Sequence, residues 1–596
     1  MNTLPINTSY ERTFLNTAHK HFNKYPREWQ LRVGGRIISD ICTNVEIRQL
    51  CVQPTGSGKS LLFQTIASFL KGVTLCLSPL LSLAADQVNK LVINTRGTDS
   101  TIIALHMDES ERGDDTEILD LIKNLKDTST LFLFCSPQCI ANKFPEFFNS
   151  LIADGLIKFV VVDEVHLFTH FGRTFRDEFN QLKDGLFSKL PQSMPMLFLT
   201  ATCTLSIDVA FQTMIGKSIT HREWPIPSIM AFGNRRTAIN VSYSSRPYSN
   251  MFKSIAVIQK EIEELELPKK VIVYSNAKKR IRQIEDKIGE DLDEDDDLHM
   301  IDIIEVDGAL TKVEKAFYIQ EFLDPVTETN GIDLNRILVC TSGVGNVGID
   351  SPDIRAVYRL EYPPSVIDFI QEMGRAGRRI GHNPLDYSYN VYFSIDNFLH
   401  LFERTMNPDE NYNDPSYRKE VVSNLMEMAK ILVLSRYCFY VCIETALSNP
   451  YRDRRNDMLY RHYPCGFCPS CRNESIFPKV NRVGLTKVIF DVFNPGAAAN
   501  PNTSNGMGPF TLDFITTRIR EYPEANYLIL RSRAQGGIAP ASIHQVLMIL
   551  ITAEILAMNY HEAIKSTILS LARKSPGEAA FALMEDMFWE FITLKI

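Results

Sequence analysis

From Gln49 to Leu199 the chain alternates short apolar runs, at Gln49–Gln53, Val73–Leu77, Leu131–Cys135, Phe159–Val162 and Met196–Leu199, with longer stretches of helical spacing such as Ser82–Ile93. Runs this short read as strands and the stretches between them as helices, which predicts a parallel sheet covered by helices. A second series, Lys270–Tyr274, Ile301–Val306, Arg336–Cys340, Ala356–Leu360 and Val391–Phe393, predicts a second α/β domain. Pro225, Pro227 and Gly233 place the joint between Thr220 and Pro247. Residues 1–25 read as a helical lead-in, and beyond Leu401 helical spacing takes over through Leu434. The acidic run Glu290–Asp297 reads as a solvated loop. Asn494–Pro509, rich in Pro, Gly and Asn, reads as a linker. Phe510–Ile596 reads as mostly helical, with Ala541–Tyr560 as a pair of helices. The expected domains are therefore 26–225, 226–400, a cysteine-bearing module over 401–480 and a C-terminal domain over 481–596.

A length of 596 residues with 45% hydrophobic and 22% charged residues suits several globular domains, each burying its own core. The longest apolar stretch, Val546–Met558, is interrupted by Glu554, so no membrane partner is expected. The opening MNTLPINTSYERTFLN has neither a secretory nor a transit layout; an intracellular location is expected, nuclear in a eukaryote. A net charge of −8 means that any nucleic-acid contact must use local basic patches. Twelve cysteines are too few for a disulfide framework at this length.

Candidate chemistry begins at Gln49–Leu62, QLCVQPTGSGKSLL, a strand entering a glycine-bearing turn and leaving as a helix. Backbone N–H groups over Thr55, Gly56, Ser57, Gly58 and Lys59 can face anionic oxygens, aided by the positive end of the helix dipole. Lys59 would reach the outer phosphates and Ser60 a magnesium ion. The strict P-loop pattern places glycine where Gln53 stands, so the match is to the Pro-Thr-Gly-x-Gly-Lys-Ser variant. One domain's length later, the buried-type strand FVVVDEVH ends in Asp163-Glu164: the first carboxylate suits magnesium, the second the attacking water. Further along, Cys465-Gly-Phe-Cys468-Pro-Ser-Cys471 supplies three thiolates at a spacing that suits tetrahedral zinc. Cys438 and Cys442 both stand upstream as a fourth ligand.

The order and text of these blocks resemble the RecQ family of superfamily 2 helicases over about Pro26–Cys471. Besides the glycine turn, LSPLLSLAADQVNK from Leu77, LTATC from Leu199, TSGVGNVGID from Thr341 and QEMGRAGRR from Gln371 are similar to the family's blocks. The resemblance implies two tandem RecA-like domains, a zinc module and a C-terminal domain that is winged-helix-like. It implies that Gln30, in PREWQ, selects adenine, that Thr200 and Thr202 connect hydrolysis to movement, and that Gln371 belongs to the nucleotide site. Arg378 would be the arginine finger with Arg375 in support. Phe171, Phe175 and Arg176, in THFGRTFR, would contact DNA by stacking and charge. Family members carry Trp where Phe171 stands, and His-Ala-Gly-Leu where this chain has Asp307-Gly308-Ala309-Leu310. By the same similarity the fourth zinc ligand is Cys442. The implied cofactors are ATP, Mg²⁺ and Zn²⁺; the implied partners are single-stranded and duplex DNA. The implied activity is ATP-driven 3′–5′ DNA unwinding in recombination or repair. An RNA-directed motor is the first rival, because Asp163-Glu164-Val165-His166 also resembles the box of RNA helicases; a catalytically weak nucleic-acid-binding scaffold is the second.

Overall fold

β1 (Arg48–Val52) is buried along its whole length, because parallel strands flank it on both sides. With β2 (Gly72–Leu77), β3 (Ile102–Met107), β4 (Thr130–Cys135), β5 (Ile157–Val162), β6 (Met196–Thr200) and β7 (His221–Glu223) it forms a seven-stranded sheet in the order β3-β4-β2-β5-β6-β1-β7. All pairs are parallel. The five expected strands are present to within one or two residues; β3 and β7, both at sheet edges, complete the set. The computed structural model describes residues 8–54, 56–78, 87–89, 91–92, 101–107, 115–170, 181–224, 237–243, 270–276, 283, 301–324, 335–341, 349, 351–377, 386–407, 415–434, 438–447, 465–472 and 474. Towards the C-terminus it describes residues 512, 516–517, 544, 547–549, 551, 556–561 and 566–571. Most of Ser82–Ile93 and all of Glu290–Asp297 and Asn494–Pro509 lie outside these residues.

The chain divides into two units, residues 1–234 with 447–453, and residues 235–446 with 454–596. In the first, α1 (Ser9–Phe22) starts at a capping box in which Thr8 Oγ1 accepts from the Glu11 N–H and Glu11 accepts from the Thr8 N–H. Asn23, in the left-handed region at φ 50°, ends it. The lead-in is thus helical as expected, and it is also part of the core. Phe14 and Phe22 pack with Trp29, Val33 and Ile37 of α2 (Glu28–Cys42) and with Leu62 and Ile66 of α3 (Lys59–Leu70).

The second unit carries β8 (Ala238–Tyr243), β9 (Lys270–Ser275), β10 (Ile301–Val306), β11 (Asn335–Thr341), β12 (Ile354–Arg359) and β13 (Ser388–Phe393), all parallel, in the order β10-β11-β9-β12-β13-β8. β8 lies inside Thr220–Pro247, the stretch expected to be a joint, and the division falls between Asn234 and Arg235. Val271, Val273, Ile337, Val339 and Tyr358 form the core beneath one face. Asp307 holds the turn after β10 by accepting from the N–H groups of Ala309 at 2.5 Å and Leu310 at 3.3 Å. Helices Ile395–Met406, Pro415–Leu434 and Phe439–Ala446 follow, in line with the helical spacing.

The C-terminal expectation needs correcting. Leu556–His561, assigned in part to paired helices over Ala541–Tyr560, is β14, antiparallel to β15 (Ser566–Leu571). Short apolar runs are ambiguous between helix and strand until a partner strand resolves them, and here the partner begins just after residue 565.

α1 and α2 approach closely at Gly34, where an added Cβ would lie 2.3 Å from the ring of Phe14, itself fully buried. Gly34→Ala should therefore destabilise the protein by about 1–3 kcal/mol. Gly185→Ala, at a position with nothing within 4 Å, should stay within about 0.5 kcal/mol of wild type in the same urea melt.

Candidate nucleotide site and cysteine cluster

In a parallel sheet every strand delivers its C-terminal end to the same edge, and three neighbouring strands, β5, β6 and β1, end in the residues singled out by sequence. The turn after β1 passes through Gly56 and Gly58, both left-handed at φ 73° and 88°, a conformation that side chains other than glycine adopt at a cost. Gly58 caps α3, so the first N–H groups of a twelve-residue helix face out of the turn. Lys59 opens that helix and its Nζ donates to the carbonyls of Gln53 at 3.0 Å and Pro54 at 3.5 Å. Ser60 Oγ accepts from Gln87 Nε2 at 3.1 Å, which ties the glycine turn to the Asp86-Gln87-Val88 block. Thr55 lies outside the described residues.

Gln30 is placed beside this turn and is fully buried. Its Nε2 donates to Gly58 O at 2.6 Å and its Oε1 accepts from the Arg27 N–H at 2.6 Å. Trp29, which sequence reasoning passed over, donates its indole N–H to Ser57 O at 3.3 Å.

Asp163 and Glu164 follow β5 directly. Asp163 Oδ1 accepts from the Glu164 N–H at 3.0 Å, and Glu164 is one of four non-glycine residues in the left-handed region among the described residues, at φ 52°. Strain of that kind persists where the surroundings over-determine it, and it concentrates at functional sites. Burial first, then the neighbouring Glu164 charge, pushes the Asp163 carboxyl up to about 7, against the pull of Lys59. A carboxylate so placed is a strong candidate for a cation. Glu164 Oε2 lies 3.3 Å from His166 Nδ1, and that nitrogen is 2.9 Å from Thr200 Oγ1. Thr200 Oγ1 donates to Thr202 O at 2.7 Å. The acidic pair is therefore connected through His166 to the LTATC block at the end of β6. His166 was not singled out beforehand, although its place in the Asp-Glu-Val-His text was the available signal.

Phe171, Phe175, Arg176 and Arg378 lie outside the described residues. In the second unit Gln371 is buried on the helix Val366–Met373. Arg375, just beyond it, is buried too and donates to Ile349 O at 2.8 Å. Next to these runs a polar cluster that sequence did not announce. Arg359 Nη1 and Glu372 Oε1 meet at 2.9 Å with neither side chain exposed, and Tyr389 Oη donates to Glu372 Oε2 at 2.8 Å. Arg359 also donates to Asn276 Oδ1 and to Glu361 O, and Ser275 Oγ donates to Glu361 Oε2 at 3.0 Å.

The cysteine cluster is Cys438, Cys465, Cys468 and Cys471, with sulfur atoms all within 4.8 Å of one another. The expected ligand Cys442 is not among them. Cys438 immediately precedes the helix Phe439–Ala446, where its side chain can turn toward the loop, whereas Cys442 sits one turn inside that helix with its N–H on Cys438 O. The Cys465 and Cys471 sulfurs are 3.6 Å apart. Tetrahedral zinc at its usual Zn–S length sets sulfurs about 3.8 Å apart, so the donor set fits that ion. N–H groups of Phe467 and Phe439 point at the sulfurs of Cys465, at 3.2 Å, and Cys468, at 3.4 Å. Contact with Cys438 first, then with the other two thiols, and burial drive the Cys468 thiol far above its ordinary range. Four thiols this close ionise together only around a cation.

The cluster is bound to the second sheet. Arg472 donates to Phe467 O at 2.7 Å, Ile239 O at 3.0 Å and Asn240 Oδ1 at 2.8 Å. Tyr440 Oη donates to Thr237 O at 2.9 Å, and Thr237 Oγ1 to Ala376 O, within the Gly-Arg-Ala-Gly-Arg turn, at 3.4 Å.

Comparison with known proteins agrees with this geometry. Residues 36–208 match the DEAD/DEAH box helicase model and residues 253–380 the helicase conserved C-terminal domain. The chain is 28% identical over 362 residues to the ATP-dependent DNA helicase Q-like 5 of Arabidopsis thaliana, covering 59% of this chain and 35% of that protein. It is 28% identical over 331 residues to "Probable ATP-dependent DNA helicase RecS" of Bacillus subtilis, covering 55% and 58% respectively. A longer match, 23% identical over 512 residues and covering 84% and 79%, is to "Putative ATP-dependent RNA helicase R290" of Acanthamoeba polyphaga mimivirus. The matched region spans between 28% and 58% of the length of the first four curated relatives. With both halves of the helicase core matched in order, the chain carries a helicase core, and its similarity to these DNA helicases supports the RecQ type.

Proposed function

We propose that this protein is an ATP-dependent DNA helicase that moves 3′ to 5′ along single-stranded DNA and separates the duplex ahead of it, in the service of recombination or repair. The observation that carries the reading is the convergence of the glycine turn, the Asp163-Glu164 pair and Thr200 at the adjoining ends of β1, β5 and β6. ATP and magnesium suit the residues present. Ser57 Oγ is buried without a hydrogen-bond partner, and a Cβ at Gly58 would come within 2.8 Å of Gln30 Nε2. The N–H groups of Gly56 to Lys59 hold phosphate oxygens, Lys59 neutralises the outer ones, and Ser60 and Asp163 hold the magnesium. Bound magnesium supplies charge neutralisation on the phosphates. Glu164, set by its left-handed backbone and by His166, accepts the proton of the attacking water. Arg378 acts as the arginine finger with Arg375 in support, and Gln371 belongs to the nucleotide-binding residues. Phe171, Phe175 and Arg176 contact the nucleic acid, and Cys438, Cys465, Cys468 and Cys471 hold a structural zinc.

DNA is favoured by the RecQ-type block text and the cysteine cluster. The RNA-directed reading has one observation of its own, the long match to a protein named as an RNA helicase. Comparing ATPase stimulation by single-stranded DNA and RNA, and strand displacement on 3′-tailed and 5′-tailed duplexes, separates the readings. DNA stimulation with displacement confined to 3′-tailed substrates is the expected result. Lys59→Ala should remove ATP turnover and displacement while leaving the unfolding transition in place; undiminished turnover would end the site assignment.

The raised Asp163 carboxyl gives a second test, in protein free of nucleotide and magnesium. Its ordinary value is 3.8 and its folded value about 7, so between these the fold holds a proton that the unfolded chain lacks. Stability contributed through this group therefore falls as pH rises across that window. Asp163→Asn should melt higher than wild type at pH 8 and close to it at pH 4, with no ATP turnover at either.

For the metal, atomic absorption should find about one zinc per chain. Cys438→Ser should lower that content and the solubility of the protein, and Cys442→Ser should change neither. Full zinc in the first variant, or loss in the second, would reverse the assignment.

A further inference from the structure

The carbonyl and the N–H of a trans peptide point in opposite directions, so whatever holds the carbonyl aims the N–H. Two successive peptides of the phosphate turn are held in this way from one side. Trp29 Nε1 donates to Ser57 O at 3.3 Å, and Gln30 Nε2 donates to Gly58 O at 2.6 Å. The partner N–H groups, on Gly58 and Lys59, are thereby turned away from α2. Both donors sit in the first turn of α2, whose start is itself fixed by Gln30 Oε1 on the Arg27 N–H. Trp29 is 5% exposed and packs in the core with Phe14 and Phe22, so its indole has little freedom to leave. Gly58 at φ 88° could adopt other backbone angles easily, which makes an external hold on its neighbouring peptides effective.

We propose that Trp29 is a positioning residue for the nucleotide turn: through Ser57 O it pre-orients the Gly58 N–H toward a bound polyphosphate without touching the ligand itself. This rests on the ATP site proposed above. Pre-orientation lowers the cost of ordering the turn when ligand arrives, so its loss appears in affinity more than in the rate of the chemical step. Because the hold acts on the phosphate cradle, the loss is the same whatever base the nucleotide carries.

The test is Trp29→Phe in the full chain, which keeps an aromatic ring in the core while removing the N–H and part of the ring volume. Binding of ATP, GTP and inorganic tripolyphosphate is measured by calorimetry with magnesium, beside steady-state ATPase. The expected result is a loss of about three- to tenfold in affinity, equal for all three, with KM for ATP raised and kcat within about twofold. Tryptophan emission gives an independent reading, since the chain has only three tryptophans. Tripolyphosphate should change the emission of wild type; no change in wild type that binds tripolyphosphate would count against the hold of Trp29 on the turn. Unchanged affinity for all three ligands, or a loss confined to ATP, would overturn the proposal. Should the variant melt well below wild type, Trp29→His, which restores a ring N–H, decides the matter: recovered tripolyphosphate affinity supports the hold, and failure to recover sinks it. If wild type binds neither nucleotide nor tripolyphosphate, the ATP site itself is wrong, a result distinct from equal binding by wild type and variant.

Discussion

Parallel pairing is the constraint on which the arrangement of the first unit depends. Antiparallel neighbours would send alternate strands to opposite edges, and Thr200, at the end of β6, would then lie a strand's length from both the glycine turn and the acidic pair. With β5, β6 and β1 side by side and parallel, three separate stretches of sequence reach one edge with no further device. The price is that each strand needs a crossover helix, and the first such helix, α3, is also the one whose N-terminus opens at the glycine turn, where its dipole favours an anion. The fold's connection and its ligand-binding dipole are therefore one element. α2 adds a second use of the same kind: its buried face completes the core while its first turn meets the glycine turn.

The second unit solves a different problem. Its Arg359–Glu372 pair is fully out of water, an arrangement that costs several kcal/mol of desolvation per ion and is sustained only if every lone pair and proton finds a partner. Tyr389, Asn276 and the Glu361 carbonyl provide those partners. Such a network fits one geometry and tolerates few others. Glu372 lies between Gln371 and Gly374 in the Gly-Arg-Ala-Gly-Arg block, so the end of that helix is fixed by charge from inside the unit, and Arg375 is fixed by Ile349 O.

How much of this was legible follows from what a pattern of residue types can encode. Buried central strands are continuous apolar runs and were found almost to the residue, as β9 shows, expected over Lys270–Tyr274 and observed over Lys270–Ser275. β8 was hidden because its AINVSY text follows closely on Pro and Gly residues that dominate the local reading. The acidic pair and the glycine turn were visible because their chemistry needs particular residue types. The link from Glu164 through His166 to Thr200 was not, since it joins positions far apart in sequence by side-chain distances alone. Likewise three zinc-type cysteines were plain, but choosing the fourth required knowing where a helix begins: Cys438 stands before its first turn and Cys442 within it.

The loop that carries Cys465, Cys468 and Cys471 belongs with the second sheet for a physical reason. β8 is an edge strand, bonded on one side to β13, and an open edge invites pairing with other chains. Here the Ile239 N–H donates to Phe467 O at 2.8 Å, and Ile239 O accepts from Arg472. The cysteine loop thus takes up both backbone groups of Ile239 on the edge strand. Phe467 lies between two of the four thiols, so the shape it presents to β8 depends on the loop being closed around its centre. From the same end of β8, Thr237 reaches Ala376 and receives Tyr440. A module bound this way covers an exposed edge and reaches, through Thr237, the backbone of Ala376 beside Arg375, which gives a physical reason for it to follow the second helicase lobe in sequence and join it in one unit.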